Sequence, residues 1–147
     1  MKSKKAIQQL QQLGLKNFEQ TIKLVAQSNQ QELLISKDIK WGAITDCTYF
    51  IYENYQLRKI GKVGGGSRCL RKRLADYRST DATGIKITQS ISKKRKVHIL
   101  AIPFATTAEK MYGIPTEGSV KGPKLEKALL ERANSIGINL QWNNNKG

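Results

Sequence analysis

Cys47-Thr48-Tyr49-Phe50-Ile51-Tyr52, followed ten residues after Tyr49 by Lys59-Ile60-Gly61-Lys62, decides the reading of this chain. The first stretch alternates and is rich in aromatic and β-branched residues, as a half-buried strand is. The second is a shorter strand that ends at a glycine. Glu53-Asn54-Tyr55-Gln56 supplies the turn between them, so Tyr49–Tyr52 is expected to pair with Leu57–Gly61 in a hairpin. Val63-Gly64-Gly65-Gly66-Ser67 then reads as a flexible loop, because three successive glycines suit no regular element. The basic run Leu70-Arg71-Lys72-Arg73-Leu74 lies in a helix expected from Arg68 to Arg78.

Outward from this centre, residues 3–36 read as helical. Ala6, Ile7, Leu10 and Leu13 share one face, and Gly14 offers a C-cap. Asn17 and Gln20 suit a capping box for a second helix carrying Phe18, Ile22 and Val25. Downstream, a short helix over Ile85–Ser92 leads into a third strand, Val97–Ile102, ended by Pro103. Residues 104–122, with Gly113, Pro115, Gly118 and Gly122, read as an irregular loop. Pro123 opens a last helix with the stripe Leu125, Leu129 and Ile136, which Gly137 stops, and Asn139–Asn143 forms a tail. The expected architecture is α+β: a three-stranded antiparallel sheet flanked by helices in residues 44–147, preceded by an N-terminal helical arm in residues 1–43.

Lys and Arg outnumber Asp and Glu 26 to 11, a formal charge of +15, while 39% of residues are hydrophobic and fall in periodic blocks. That mixture excludes a disordered basic tail and favours a polyanion partner, with nucleic acid first. Charge alone fits a nucleic-acid enzyme and a passive binder equally. Cys47 and Cys69 have neither CxxC nor Cys/His spacing and read as reduced thiols. Met1-Lys2-Ser3-Lys4-Lys5 runs into Gln8-Gln9-Leu10-Gln11-Gln12 rather than an apolar core, and no stretch approaches a membrane span. A cytoplasmic protein is expected.

Several side chains suit phosphodiester chemistry, which needs activated water and stabilised phosphate charge. Arg73 and Tyr77 are four apart on one helix, so both project from one face, where a guanidinium fork and a phenol can hold one phosphate. On the last helix, Glu126 and Glu131 each offer a single hard carboxylate suited to Mg²⁺, which keeps most of its waters. Trp142 suits packing, and the Asn143 amide suits fixing a loop or touching phosphate. His98, the only histidine, is flanked by Val97 and Ile99 and reads as structural or DNA-facing.

Taken in order, these pieces resemble the GIY-YIG nucleases over residues 46–143. In that family a tyrosine on the first strand is followed, one hairpin later, by a second tyrosine, a glycine and often a lysine. Tyr49 fills the first position; Lys59-Ile60-Gly61-Lys62 fills the second, with lysine in place of tyrosine. Lys72-Arg73 with Tyr77 matches the family's helix, and the spacing from Glu131 to Asn143 matches its late glutamate and terminal asparagine, which Glu126 does not. Cys47-Thr48 replaces Gly-Ile, and the triple glycine lengthens the approach to Arg73, leaving Arg71 a rival.

The resemblance implies a metal-dependent DNA endonuclease, of the restriction or phage type, acting on double-stranded DNA with Mg²⁺ or Mn²⁺ held by Glu131. It implies catalytic roles for Tyr49, Lys59, Arg73, Tyr77 and Glu131, and DNA or phosphate contacts from Lys62, Arg71 and Asn143. Stand-alone members of the family work as homodimers or homotetramers. The competing expectations are a non-catalytic DNA- or RNA-binding protein, and a toxin or mobile-element nuclease with the same chemistry.

Overall fold

The computed structural model describes residues 4–63, 69–77, 81–103, 112–114 and 124–143. Its centre is a hairpin of β3 (Cys47–Glu53) and β4 (Gln56–Val63), with β5 (Val97–Pro103) on the other side of β3. Asn54 (φ 49°) and Tyr55 (φ 65°) are both left-handed, the conformation that a two-residue hairpin loop demands. The turn is therefore shorter than the four residues expected. Every residue of β3 is buried, so this strand is covered on both faces rather than half-buried.

The sheet has five strands, not three. Residues expected to continue the N-terminal helices instead form β1 (Lys23–Ser28) and β2 (Leu33–Ile35), giving the order β2-β1-β5-β3-β4 with every pairing antiparallel. Of the two helices expected over residues 3–36, the first forms as α1 (Lys4–Gln12) and ends as expected, with Gly14 at φ 91° and the Leu15 amide reaching back to the Leu10 carbonyl. Asn17 caps no helix: it is left-handed at φ 56° and leads into a single turn closed by Ile22 N–H on Phe18 C=O. Asn29 then folds the hairpin, its Oδ1 accepting from the amides of Gln31 and Glu32 at 2.7 and 2.8 Å.

Helices cover both faces. On one, Phe50, Tyr52, Leu57, Ile60, Leu100 and Ile102 pack with α1 and with Leu125, Leu129 and Ala133 of α5 (Lys124–Ser135). On the other, Tyr49, Ile51, Val97, Ile99 and Ala101 pack with α3 (Leu70–Asp76) and α4 (Ala82–Ser92). A short helix, α2 (Ile39–Gly42), is capped by Asp38, whose side chain accepts from the Trp41 amide. Ile136 lies beyond the end of α5 and is 46% exposed, so Ala133 takes its expected place in the stripe. Trp142, in a 3₁₀ turn at Gln141–Asn143, is buried. The Gly64–Gly66 loop and all but residues 112–114 of the expected 104–122 loop lie outside the described residues. Both cysteines are free thiols; burial of Cys47 pushes its pKa up to about 12. Among the described residues no helix is long and apolar enough to cross a membrane.

Candidate active site at the edge of the sheet

β4 is an edge strand, and charged side chains from several separate segments converge on it. Register sets the starting point: Tyr49 faces Gly61 across the hairpin, and Ile51 faces Lys59. Residues that oppose each other share a face, so Lys59 and Tyr49 project toward α3 and α4. Lys62, opposite Thr48, projects toward α5. Gly61 is there for want of a side chain. A Cβ built on it would collide with the Tyr49 ring, so only glycine lets that ring lie across β4.

The Tyr49 hydroxyl is held in a short hydrogen bond with the Tyr77 hydroxyl, their rings edge-on with centroids 6.1 Å apart. Arg73 donates to the same Tyr49 oxygen. Burial raises the pKa of Tyr49, and Arg73 and Tyr77 only partly oppose that effect. Tyr77 is likewise raised, by burial and by Tyr49. Both phenols are protonated at neutral pH. On α3, Leu70 and Leu74 face the core while Arg71 and Arg73 flank them on opposite sides. Arg73 turns to Tyr49, whereas the Arg71 guanidinium lies over Gly42 of α2. The structure brings Arg73 into the cluster and leaves Arg71 outside it.

Lys59 is half-buried and its ammonium donates to Thr83 Oγ1 at 2.9 Å. Burial lowers its pKa and the Arg73 charge adds to this, while Asp81 and Glu126 act the other way. Thr83, which no spacing in the sequence singles out, sits at the start of α4 two residues after its N-cap Asp81, whose Oδ1 accepts from Gly84 N–H at 2.7 Å. Asp81-Ala82-Thr83 carried the capping signal; Gly84 hides the true start of the helix.

The carboxylate that meets these cations is Glu126. Burial raises its pKa, and the charges of Lys62, Lys59 and Arg73 pull it back. Glu131, preferred on sequence spacing, lies exposed on α5. Five residues along a helix turn a side chain by about 140°, so the two glutamates cannot serve one site together. Asn143 serves the backbone, its Oδ1 accepting from Ile60 N–H at 2.7 Å and its Nδ2 donating to Ile60 C=O at 3.0 Å. It holds the edge strand between Lys59 and Gly61. His98 lies on β5 opposite Tyr52, in a separate region.

No group of three or more His, Cys, Asp or Glu suited to a metal occurs among the described residues. One carboxylate inside three cations is a poor metal cage by itself. Such a donor set fits a hard divalent ion only when phosphate oxygens and waters complete the coordination. Compared with protein-family models, with curated proteins and with solved structures, the chain gives no match.

Proposed function

We propose that the chain is a metal-dependent DNA endonuclease of the GIY-YIG type. The observation that carries this reading is the convergence of Tyr49, Lys59, Arg73, Tyr77 and Glu126 around the β4 edge, with Lys62 beside them. A scissile phosphate entering there meets Arg73 and Lys62 as charge partners, which favour the extra negative charge of the pentavalent state. Tyr49, fixed by Tyr77 and Arg73, acts through its hydroxyl as an orienting donor, because burial disfavours its tyrosinate. Lys59, whose amine is the more easily deprotonated partner, activates the attacking water.

Glu126 replaces Glu131 as the proposed ligand for Mg²⁺ or Mn²⁺, which would supply Lewis-acid assistance at the leaving oxygen. The surrounding cations mean that this ligand works with the substrate phosphate rather than before it. One cluster cuts one strand, so cleavage of double-stranded DNA, as in restriction or phage enzymes, takes two copies in a homodimer or homotetramer.

Incubation of supercoiled plasmid with the protein, with and without Mg²⁺, tests the reading. Mg²⁺-dependent nicking or linearisation that Glu126→Gln abolishes is the expected result, and end-sequencing then gives the cut geometry. Tight plasmid binding without any cleavage in Mg²⁺ or Mn²⁺ means a non-catalytic nucleic-acid binder instead.

A further inference from the structure

A second, separate cluster lies at the other end of the sheet, where three turns meet. They are the β1–β2 turn, the β3–β4 turn at Asn54–Tyr55, and the α4–β5 turn at Lys94–Lys96. Asn54 ties two of them: its amide donates to Lys96 C=O at 2.7 Å and its Oδ1 accepts from Lys96 N–H at 2.9 Å. A cavity of about 650 Å³ opens between the turns, within the range of small-ligand sites.

Its lining combines two chemistries. One wall is the Tyr55–His98 ring pair, stacked at 5.0 Å and 24°. Against it stand the consecutive cations Lys94, Arg95 and Lys96, with the amides of Gln27 and Gln30, and among the described residues no carboxylate lines the space. Arg95 also meets Glu53 at 3.1 Å, but that carboxylate is shared with Arg58 at 3.0 Å and is not part of the cavity lining. Tyr55 (φ 65°) and Lys94 (φ 63°) are held left-handed by the hairpin turn and by the end of α4, which fixes where both residues stand at the cavity. The His98 Nδ1 is buried with no hydrogen-bond partner among the described residues. Burial and nearby Lys96 lower the pKa of His98, so the ring is neutral at physiological pH and serves as a stacking surface.

A flat π-face beside clustered ammonium groups matches a planar ring that carries phosphate. We propose that this cavity binds a nucleotide unit, its base extending the Tyr55–His98 stack and its phosphate held by Lys94 and Lys96. The ligand is either a free mononucleotide or the phosphorylated end of a DNA strand, since both present the same chemistry. The proposal stands apart from cleavage at the Tyr49 cluster.

Calorimetric titration of the full chain with dAMP and with inorganic phosphate tests it. Asparagine tolerates the left-handed turn, so Tyr55→Asn removes the ring and keeps the hairpin. The wild type should bind dAMP more tightly than phosphate. Tyr55→Asn should weaken dAMP about tenfold, the effect of one lost base–aromatic stack, and leave phosphate binding unchanged. Lys96→Gln, on the surface and with its backbone ties intact, should weaken both. Displacement of dAMP by a 5′-phosphorylated tetranucleotide identifies the strand end as the source, and its failure to displace identifies the free nucleotide. Binding of dAMP no tighter than phosphate, or unchanged by both substitutions, overturns the proposal.

Discussion

Tyr49 and Gly61 face each other across the β3–β4 hairpin, and the phenol ring occupies the space where any side chain on residue 61 would begin. The glycine is therefore a steric companion of the tyrosine. Its backbone freedom is not what the position uses.

Gly61→Ala should accordingly destabilise the protein by about 1–3 kcal/mol, as overpacking does, and swing the Tyr49 ring away from Tyr77. Thermal melts and plasmid cleavage should both suffer. In a Tyr49→Ala background the same substitution should cost much less, because the colliding ring is gone. An equal cost in the two backgrounds would show that the collision is relieved elsewhere.

Glu126→Gln should reduce Mg²⁺-dependent cleavage more than about a hundredfold, since a metal-borne charge term is worth several kcal/mol. Glu131→Gln, on the exposed side of α5, should leave the rate within about twofold, as surface substitutions do. Single-turnover rates at saturating protein distinguish the pair, and the opposite ranking would return the metal to Glu131.

The Lys59 amine, lowered by burial and Arg73, should give a cleavage rate that rises with pH to a plateau below the ordinary lysine value of 10.5. Thr83 accepts a hydrogen bond from the ammonium form. Removing that acceptor in Thr83→Val should depress the pKa further and move the rising limb to lower pH. A pH–rate profile that Thr83→Val leaves in place would separate Lys59 from water activation.

Glu53 gives a pH dependence of stability rather than of rate. Burial works against its charge, but hydrogen bonds from Ser90, Arg95 and Arg58 outweigh that and hold its pKa below 4.5. The unfolded chain binds this proton more readily, so the stabilisation is complete above about pH 4.5 and is lost as pH falls through the folded value. Glu53→Gln should cost about 1–3 kcal/mol at pH 7, typical of hydrogen bonds to a charged group, and flatten the acid limb in denaturant titrations.

β3, β4, β5 and the last helix were legible because aromatic and β-branched runs, turn residues and Pro123 agreed with one another. The N-terminal strands were not. Phe18, Ile22 and Val25 fall at helical spacing, yet β1 lies between β2 and β5, and Val25 and Ala26 are buried in succession. A strand covered on both faces loses the alternation that would announce it. Asn29, whose side chain closes the hairpin, was the overlooked turn signal.

That Glu126 is the glutamate near Lys59, Lys62 and Arg73 was within reach of a helical count. Glu126 lies about 60° from the middle of the Leu125, Leu129, Ala133 stripe, at the border of the buried face, while Glu131 lies about 160° away. Sequence spacing to Asn143 favours Glu131, whereas in the structure that asparagine serves the backbone of Ile60. Thr83 had no such route, since its meeting with Lys59 depends on how α4 packs against β4.

The Asn143 amide gives Ile60 the donor and acceptor that another strand would offer, so at this point β4 behaves as though a sixth strand one residue long were already in place. Sheets grow into fibres by adding strands at both edges. Here Asn143 interrupts one edge at Ile60, and the strand at the other edge, β2, is three residues long. A strand added at either edge would meet only a short uninterrupted run of backbone groups, which works against growth through the sheet.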